Sequence, residues 1–377
     1  MELTKDIISY LDAHAEEACS LLTELAQIPA PSNHEELRAQ LWARWLREHG
    51  AEGVYIDDAL NVIYPVGCEM DKPIAVFMAH SDVVFPDTTP LPLFRTEGKI
   101  HCPGVGDDTA NVVALMMAAK YIARKQLKPA EMGVLLVINS GEEGLGNLKG
   151  SRKVLDEFRC RVREFITFDG NVRSIVNRAV GSRRYRVTVE TEGGHSYSCF
   201  GNRNAIAVLA SVIQDLYNIT VPELGKTTYN VGTITGGTSV NTIAQHAQML
   251  YEFRSDEAKA LEIMENHFRG ILRSYQEQGY DIRAELLGDR PCSGDLDWSR
   301  EETLMNRAAR AVKDHYGHDI VYRSGSTDCN IPLSVGIPAV CVGCAEGDGA
   351  HTREEYVFTE SLRPGLGVAF QLILHHF

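Results

Sequence analysis

IAVFMAHSD, residues 74–82, joins six consecutive apolar residues to a histidine and an aspartate. An unbroken apolar run of that length is what a strand covered on both faces requires. The pattern recurs along the chain. Val134–Ile138 (VLLVI) leads to Glu142 and Glu143, Phe165–Phe168 (FITF) to Asp169, and Ala339–Val342 (AVCV) towards His351. A glycine-containing loop, Pro103-Gly104-Val105-Gly106, leads into Asp107 and Asp108. Open α/β sheets hold their ligands beyond the carboxyl ends of the strands. Four apolar strands that each run on to His, Asp or Glu therefore predict a metal centre on one sheet edge.

Outward from these strands the chain alternates. Between Ala51 and Arg178, apolar runs are separated by helix-like stretches such as Asn111–Lys125, whose apolar spacing suits a helix packed on a sheet. This alternation predicts a mixed, mostly parallel α/β sheet. The character changes at Gly181. Arg184–Thr191 alternates polar and apolar residues, as a half-exposed strand does. Helical spacing over Asn202–Tyr217, strands over Thr227–Thr235 and Thr242–Phe253, a helix over Asp256–Gln278 and a strand over Asp281–Leu287 complete a β-α-β-β-α-β order. That order is the ferredoxin-like split βαβ unit. After Pro291 the first type of signal resumes, with a helix over Thr303–Tyr316, a buried strand over Ile337–Val342 and a closing helix over Leu362–His376. The expectation is a discontinuous catalytic domain, residues 1–180 and 289–377, interrupted by an α+β insertion, residues 181–288.

A chain of 377 residues exceeds one typical core, in keeping with two domains. Its formal net charge of −14 repels phosphate backbones, which argues against nucleic acid as a partner. No apolar stretch approaches the ~20 residues of a membrane span. The first 29 residues carry charges throughout and read as an amphipathic helix rather than a secretion signal, so a cytoplasmic protein is expected. The nine cysteines are scattered, as free thiols in a reducing compartment would be. Cys341 and Cys344 form a C-x-x-C inside a β-like run, with no second pair to complete a zinc site.

Residue chemistry narrows the centre. In an extended segment His80 and Asp82 point the same way, so one can bind metal while the other orients it. Of the adjacent Glu142 and Glu143, one can bind metal while its neighbour holds a water. The Asp107-Asp108 pair can supply the shared anion that two close cations need. His80, Asp107, Glu143, Asp169 and His351 mix imidazole and carboxylate, a set that suits two ions of Zn²⁺, or of Mn²⁺ or Co²⁺.

The chain resembles the M20 metallopeptidases, a family of dipeptidases, tripeptidases, carboxypeptidases and deacylases. The matching stretches are MAHSDVV, GVGDDTAN, NSGEEG, TFDG, EGGHS, GGTSVNTIA, EFRSDE, GSTDCNIP and GAHTREE, in family order over nearly the whole chain. The resemblance implies that His80 and Asp169 bind one metal, Glu143 and His351 the other, and that Asp107 bridges them. It implies a cis peptide after Asp107, a supporting role for Asp82 beside His80, and Glu142 as general base. It also implies that His195 donates to the oxyanion, that Asn241 and Arg254 grip substrate, and that the insertion is a lid through which the protein forms a homodimer.

The match departs from the family at Thr109 and Ala110, where Lys-Gly is usual, which bears on loop geometry and substrate preference. Asp at position 169, rather than Glu, tilts the expectation towards an aminopeptidase or dipeptidase acting on short peptides. The rivals are an N-acyl-amino-acid amidohydrolase on the same scaffold and, from another class, a non-catalytic metal-binding dimer. Locally, His195 also reads as a loop histidine, Asn241 as a turn cap, Arg254 as a partner of Glu252 or Asp256, and Thr327-Asp328 as a helix start.

Overall fold

The computed structural model describes residues 2–377. The chain divides into two compact units, Met1–Ala179 with Gly294–Phe377, and Val180–Ser293.

The first unit is built on an eight-stranded sheet. Its central strands, in spatial order, are Gly133–Asn139, Ile74–His80, Val162–Thr167 and Ala339–Val342, all mutually parallel. Antiparallel strands Tyr55–Ile56 and Val62–Val66 extend one side, and Ser174–Ala179 with Val321–Gly325 extend the other. Every residue of Ile74–His80 and of Gly133–Asn139 is buried. Side-chain alternation sends Ala75, Phe77 and Ala79 to one core and Ile74, Val76 and Met78 to another. Lys5–Ala26, Asn111–Lys125 and Thr359–Ile373 supply apolar residues to the first core, and Lys149–Phe158 and Asn330–Ser334 supply the second. Both faces are thus covered, which is why these strands are apolar throughout. The fold is mixed α/β with a mostly parallel central sheet.

The second unit has a four-stranded antiparallel sheet in the order Thr227–Gly236, His246–Ser255, Gly181–Glu190, Asp281–Arg290. Helices Ala205–Tyr217 and Ala258–Glu277 share one core with it. Asn204 starts the first of them by accepting from the N–H groups of Ile206 and Ala207 at 2.9 and 3.3 Å.

The closing helix runs over Thr359–Ile373 and the second unit over Val180–Ser293, and two further boundaries differ from the sequence expectation for local physical reasons. The stretch read as one strand over Thr242–Phe253 is two: Thr242–Ile243 leaves the main sheet to pair with Gly194–His195. The helix expected from Thr303 starts at Trp298, because Asp297 caps it through the N–H groups of Ser299 and Arg300. The nine cysteines are unpaired, and Cys341 and Cys344 are buried. No helix among the described residues is long and apolar enough to cross a membrane.

Candidate metal centre

The four central strands end side by side, with His80 opposite Asn139 and Met78 opposite Thr167. The loops that follow deliver Glu142, Glu143 and Asp169 to the edge where His80 ends its strand. Asp107 arrives from the turn before Asn111–Lys125, and its peptide to Asp108 is cis. His351 arrives from a turn beyond the short strand Gly347–Asp348.

The carboxylate of Asp107 is central. Its Oδ1 lies 3.1 Å from His80 Nε2, which is 4.0 Å from Asp169 Oδ1. Its Oδ2 lies 3.1 Å from His351 Nε2, which is 3.1 Å from Glu143 Oε1. The two oxygens of one aspartate therefore face two different ligand groups. Around a tetrahedral ion with bonds of ~2.0–2.1 Å, neighbouring ligand atoms stand about 3.4 Å apart. The observed spacings and the mixed nitrogen and oxygen donors fit one divalent ion on each side of Asp107.

The electrostatics agree with a site made for cations. Burial, with the Asp107 charge beside it, pushes Asp169 well above the usual carboxylate range. Burial likewise raises Glu143 to about 7. Burial also opposes ionisation of Asp107, but hydrogen bonds to His351 and His80 outweigh it and hold that carboxyl low. Those same bonds to Asp107 and Glu143 raise His351 to about 11. Acidic groups this crowded favour bound positive charge, and a cation there would compete with protons for the same oxygens and nitrogens.

Supporting contacts set the ligand directions. His80 Nδ1 lies 3.1 Å from the Asp82 carbonyl and 3.5 Å from its carboxylate, so an Nδ1–H donor leaves Nε2 free to ligate. The Asp82 carboxylate is engaged elsewhere. It accepts from the N–H groups of Glu142 and Glu143 at 3.0 and 2.9 Å and from the Ser32 hydroxyl at 2.7 Å. Asp82 therefore braces the Glu142-Glu143 turn more directly than it orients the imidazole. Asp108 sits beside the ligands but has both oxygens occupied, by the His80 N–H at 2.9 Å and Asn111 Nδ2 at 2.6 Å.

Three residues of this support are illegible in the sequence. Asn111 donates to Asp108 and Gly170 and accepts from the Cys344 N–H at 2.5 Å, tying three ligand loops together from the first residue of a helix. Buried Arg38 donates to the Ser81 carbonyl at 2.7 Å, between His80 and Asp82. Ser32 precedes a helix and reads as a loop residue. At the departure from the family pattern, the Thr109 hydroxyl donates to the Gly104 carbonyl at 2.6 Å, closing its own loop.

His195, Asn241 and Arg254 all belong to the second unit, and the five candidate ligands to the first. His195 and Asn241 are neighbours: His195 pairs with Thr242, and the Ser196 N–H donates to the Asn241 carbonyl at 3.0 Å. His195 Nδ1 accepts from the N–H groups of Tyr197 and Ser198 at 3.2 and 3.4 Å, which places the ring proton on Nε2. Arg254 makes a two-pronged bond to Glu252, through Nε at 3.0 Å and Nη2 at 3.1 Å. That is the surface pairing expected of it locally.

Known proteins resemble this chain over most of its length. A succinyl-diaminopimelate desuccinylase of Delftia acidovorans is 24% identical over 324 residues, covering 79% of this chain and 80% of that protein. A tripeptidase structure from Staphylococcus aureus superposes with a TM-score of 0.75 at 20% identity, covering 95% of this chain and 97% of that one. A dinuclear metal-binding M20 peptidase from Bacillus subtilis superposes at 0.62 and 18% identity, covering 97% and 99%. Residues 76–375 match the description of peptidase family M20/M25/M40. The chain belongs to that family.

Proposed function

We propose that this protein is a dinuclear metallopeptidase that removes residues from the free amino end of short peptides. The observation that carries the proposal is the split carboxylate of Asp107, with one oxygen towards His80 and the other towards His351 and Glu143. His80 and Asp169 would hold one ion, Glu143 and His351 the other, and Asp107 both. Zn²⁺ suits the donors best, with Mn²⁺ or Co²⁺ as substitutes.

When bound, such ions lower the pKa of water and polarise a carbonyl. The chain supplies the remainder. Glu142 sits on the turn held by the Asp82 carboxylate. There its own carboxylate takes the proton of the attacking water and returns it to the leaving amine. His195, whose Nδ1 accepts from the backbone N–H groups of Tyr197 and Ser198, would offer Nε2–H as a donor to the developing oxyanion. Arg254 would bind the terminal carboxylate of the peptide, in competition with Glu252. Asn241, beside His195, would hold the peptide backbone.

Residues 181–288 would act as a lid and as the homodimer contact. Thr227–Gly236 is an edge strand with Ile234 exposed, a surface that suits a second copy. Nine unpaired thiols favour a cytoplasmic setting.

The desuccinylase relative favours a second reading, hydrolysis of N-acyl amino acids. A hydrolysis panel separates the two: dipeptides, tripeptides, amino-blocked peptides and N-acetyl amino acids, with Zn²⁺, Mn²⁺ or Co²⁺ and a chelator control. Chelator-sensitive cleavage confined to free amino ends supports the peptidase. Cleavage of N-acetyl amino acids alone moves the protein to the deacylases. Stoichiometric peptide binding without cleavage would make it a non-catalytic metal-binding module.

A further inference from the structure

Glu355 is 2% exposed, and no cation pairs with it among the described residues. A buried carboxylate needs donors, and here all of them are backbone. Its Oε2 accepts from the Gly104 N–H at 2.6 Å, and its Oε1 from the N–H groups of Gly106 and Asp107 at 2.8 Å each. The segment Gly104–Asp107 is thereby a carboxylate cradle whose occupant comes from about 250 residues away in the chain. The glycines are what admit it. Gly104 has φ +76°, and a Cβ at Gly106 would stand 3.2 Å from Glu355 Oε1 and 3.1 Å from Val357 Cγ1. Neighbouring backbone anchors the carboxylate from its own side. The Cys102 N–H donates to the Glu355 carbonyl at 3.2 Å, and Tyr356–Phe358 pairs with Lys99–His101.

The same segment carries His351, four residues earlier, whose Nε2 meets Asp107 Oδ2 and Glu143 Oε1. Asp107 is therefore gripped twice by one short stretch, at its N–H by Glu355 and at its carboxylate by His351. We infer that Glu355 is a positioning residue that aims the bridging carboxylate, and that the Glu143–His351 side of the centre depends on it more than the His80–Asp169 side does. The latter keeps His80 on its strand and Asp108 bonded to the His80 N–H whatever Glu355 does.

The inference rests on the dinuclear reading, and its test separates the two. Zn²⁺ binding is measured by equilibrium dialysis against a competing chelator for the wild type, Glu355→Gln and Gly106→Ala. Visible spectra of the Co²⁺-loaded proteins at one and two equivalents accompany it. Glutamine keeps the shape but puts an NH₂ where a backbone donor needs an acceptor. Alanine keeps the carboxylate and crowds it. Both variants should bind the first ion as the wild type does and the second about 10- to 100-fold more weakly, the range for losing a group that supports a ligand. The spectral change on adding the second Co²⁺ equivalent should then be smaller than in the wild type. Two intact binding steps in both variants, or equal weakening of both steps, would overturn the role of Glu355. A wild type that takes up fewer than two ions would overturn the dinuclear reading itself, and the inference with it.

Discussion

The two halves of the candidate centre are built by different means. His80 ends a central strand, is 1% exposed and has its neighbours set by the sheet register. His351 lies in a turn at φ +65°, with its side chain 56% exposed. The first half inherits its geometry from the most buried part of the fold. The second is assembled from loops and leans on contacts far apart in sequence. The difference teaches that the two sides of the candidate centre are not equal: one is preformed by the sheet, and the other rests on loop contacts.

The largest effect should come from the proposed general base, which belongs to neither half. Glu142→Gln is expected to lower kcat by about 100- to 10,000-fold, the range for a general base. Both ions should stay bound, which metal analysis of the purified variant would verify. A metal-depleted variant would mean that Glu142 is a ligand, and the division of labour between it and Glu143 would be wrong.

Next come the ligands that define the asymmetry. His351→Ala should leave one tight ion and weaken the other by more than about 100-fold, beyond the range for losing a supporting group. His80→Ala should disturb the tighter step. Competition titrations with a chelator read both, and identical profiles for the two variants would erase the distinction between the halves.

A pH series sharpens the comparison. In the metal-free protein Glu143 sits at about 7 and His351 at about 11, so both hold protons at low pH and must release them to bind metal. Affinity on that side should therefore rise with pH from 6 to 8, by about tenfold per pH unit for the His351 proton throughout, with the gain from Glu143 levelling off above about pH 7. Calorimetry in buffers of different ionisation enthalpy counts the protons released. Flat affinity over this range would show that neither group is protonated when metal arrives.

The smallest effect lies at the other end of a central strand. Glu164, on Val162–Thr167, forms an ion pair with Arg307, and one of its carboxylate oxygens lies 2.9 Å from His376 Nε2. Burial works against its charge, but His376 and Arg307 outweigh it and hold its carboxyl at about 2 instead of 4.5. Because this folded-state value is depressed, the stabilisation is complete above about pH 4.5 and fades as pH falls towards 2. Glu164→Gln should lower the melting temperature at pH 7 by a few degrees, with the gap narrowing below pH 4.5 and metal affinity unchanged. A shift in metal affinity would mean that the two strand ends are coupled.

The candidate ligands of both halves were legible, and their support was not. Unbroken apolar runs such as 74–79 announce a covered parallel strand, and the parallel register then brings their endings together. His80, Glu143 and Asp169 could therefore be placed on one edge from the sequence alone. Glu355 reads as one of two acids after His351, and only the fold reveals that its carboxylate fills the glycine loop. Asn111 and Arg38 failed to stand out for the same reason: a side chain whose work is to bond distant backbone has no local signature. In the second unit, the strand read through Thr242–Phe253 is broken because its first residues pair with the His195 loop, a tertiary preference that overrides local alternation. Arg254, matched to a substrate-gripping position by resemblance, is bonded to Glu252 in this structure.

The most direct test of the central claim is the electron paramagnetic resonance spectrum of the Mn²⁺-loaded wild type. If Asp107 bridges two ions, two equivalents should give a spin-coupled signal that disappears in Asp107→Ala. Two equivalents that give only the spectrum of isolated Mn²⁺ would contradict a bridged pair.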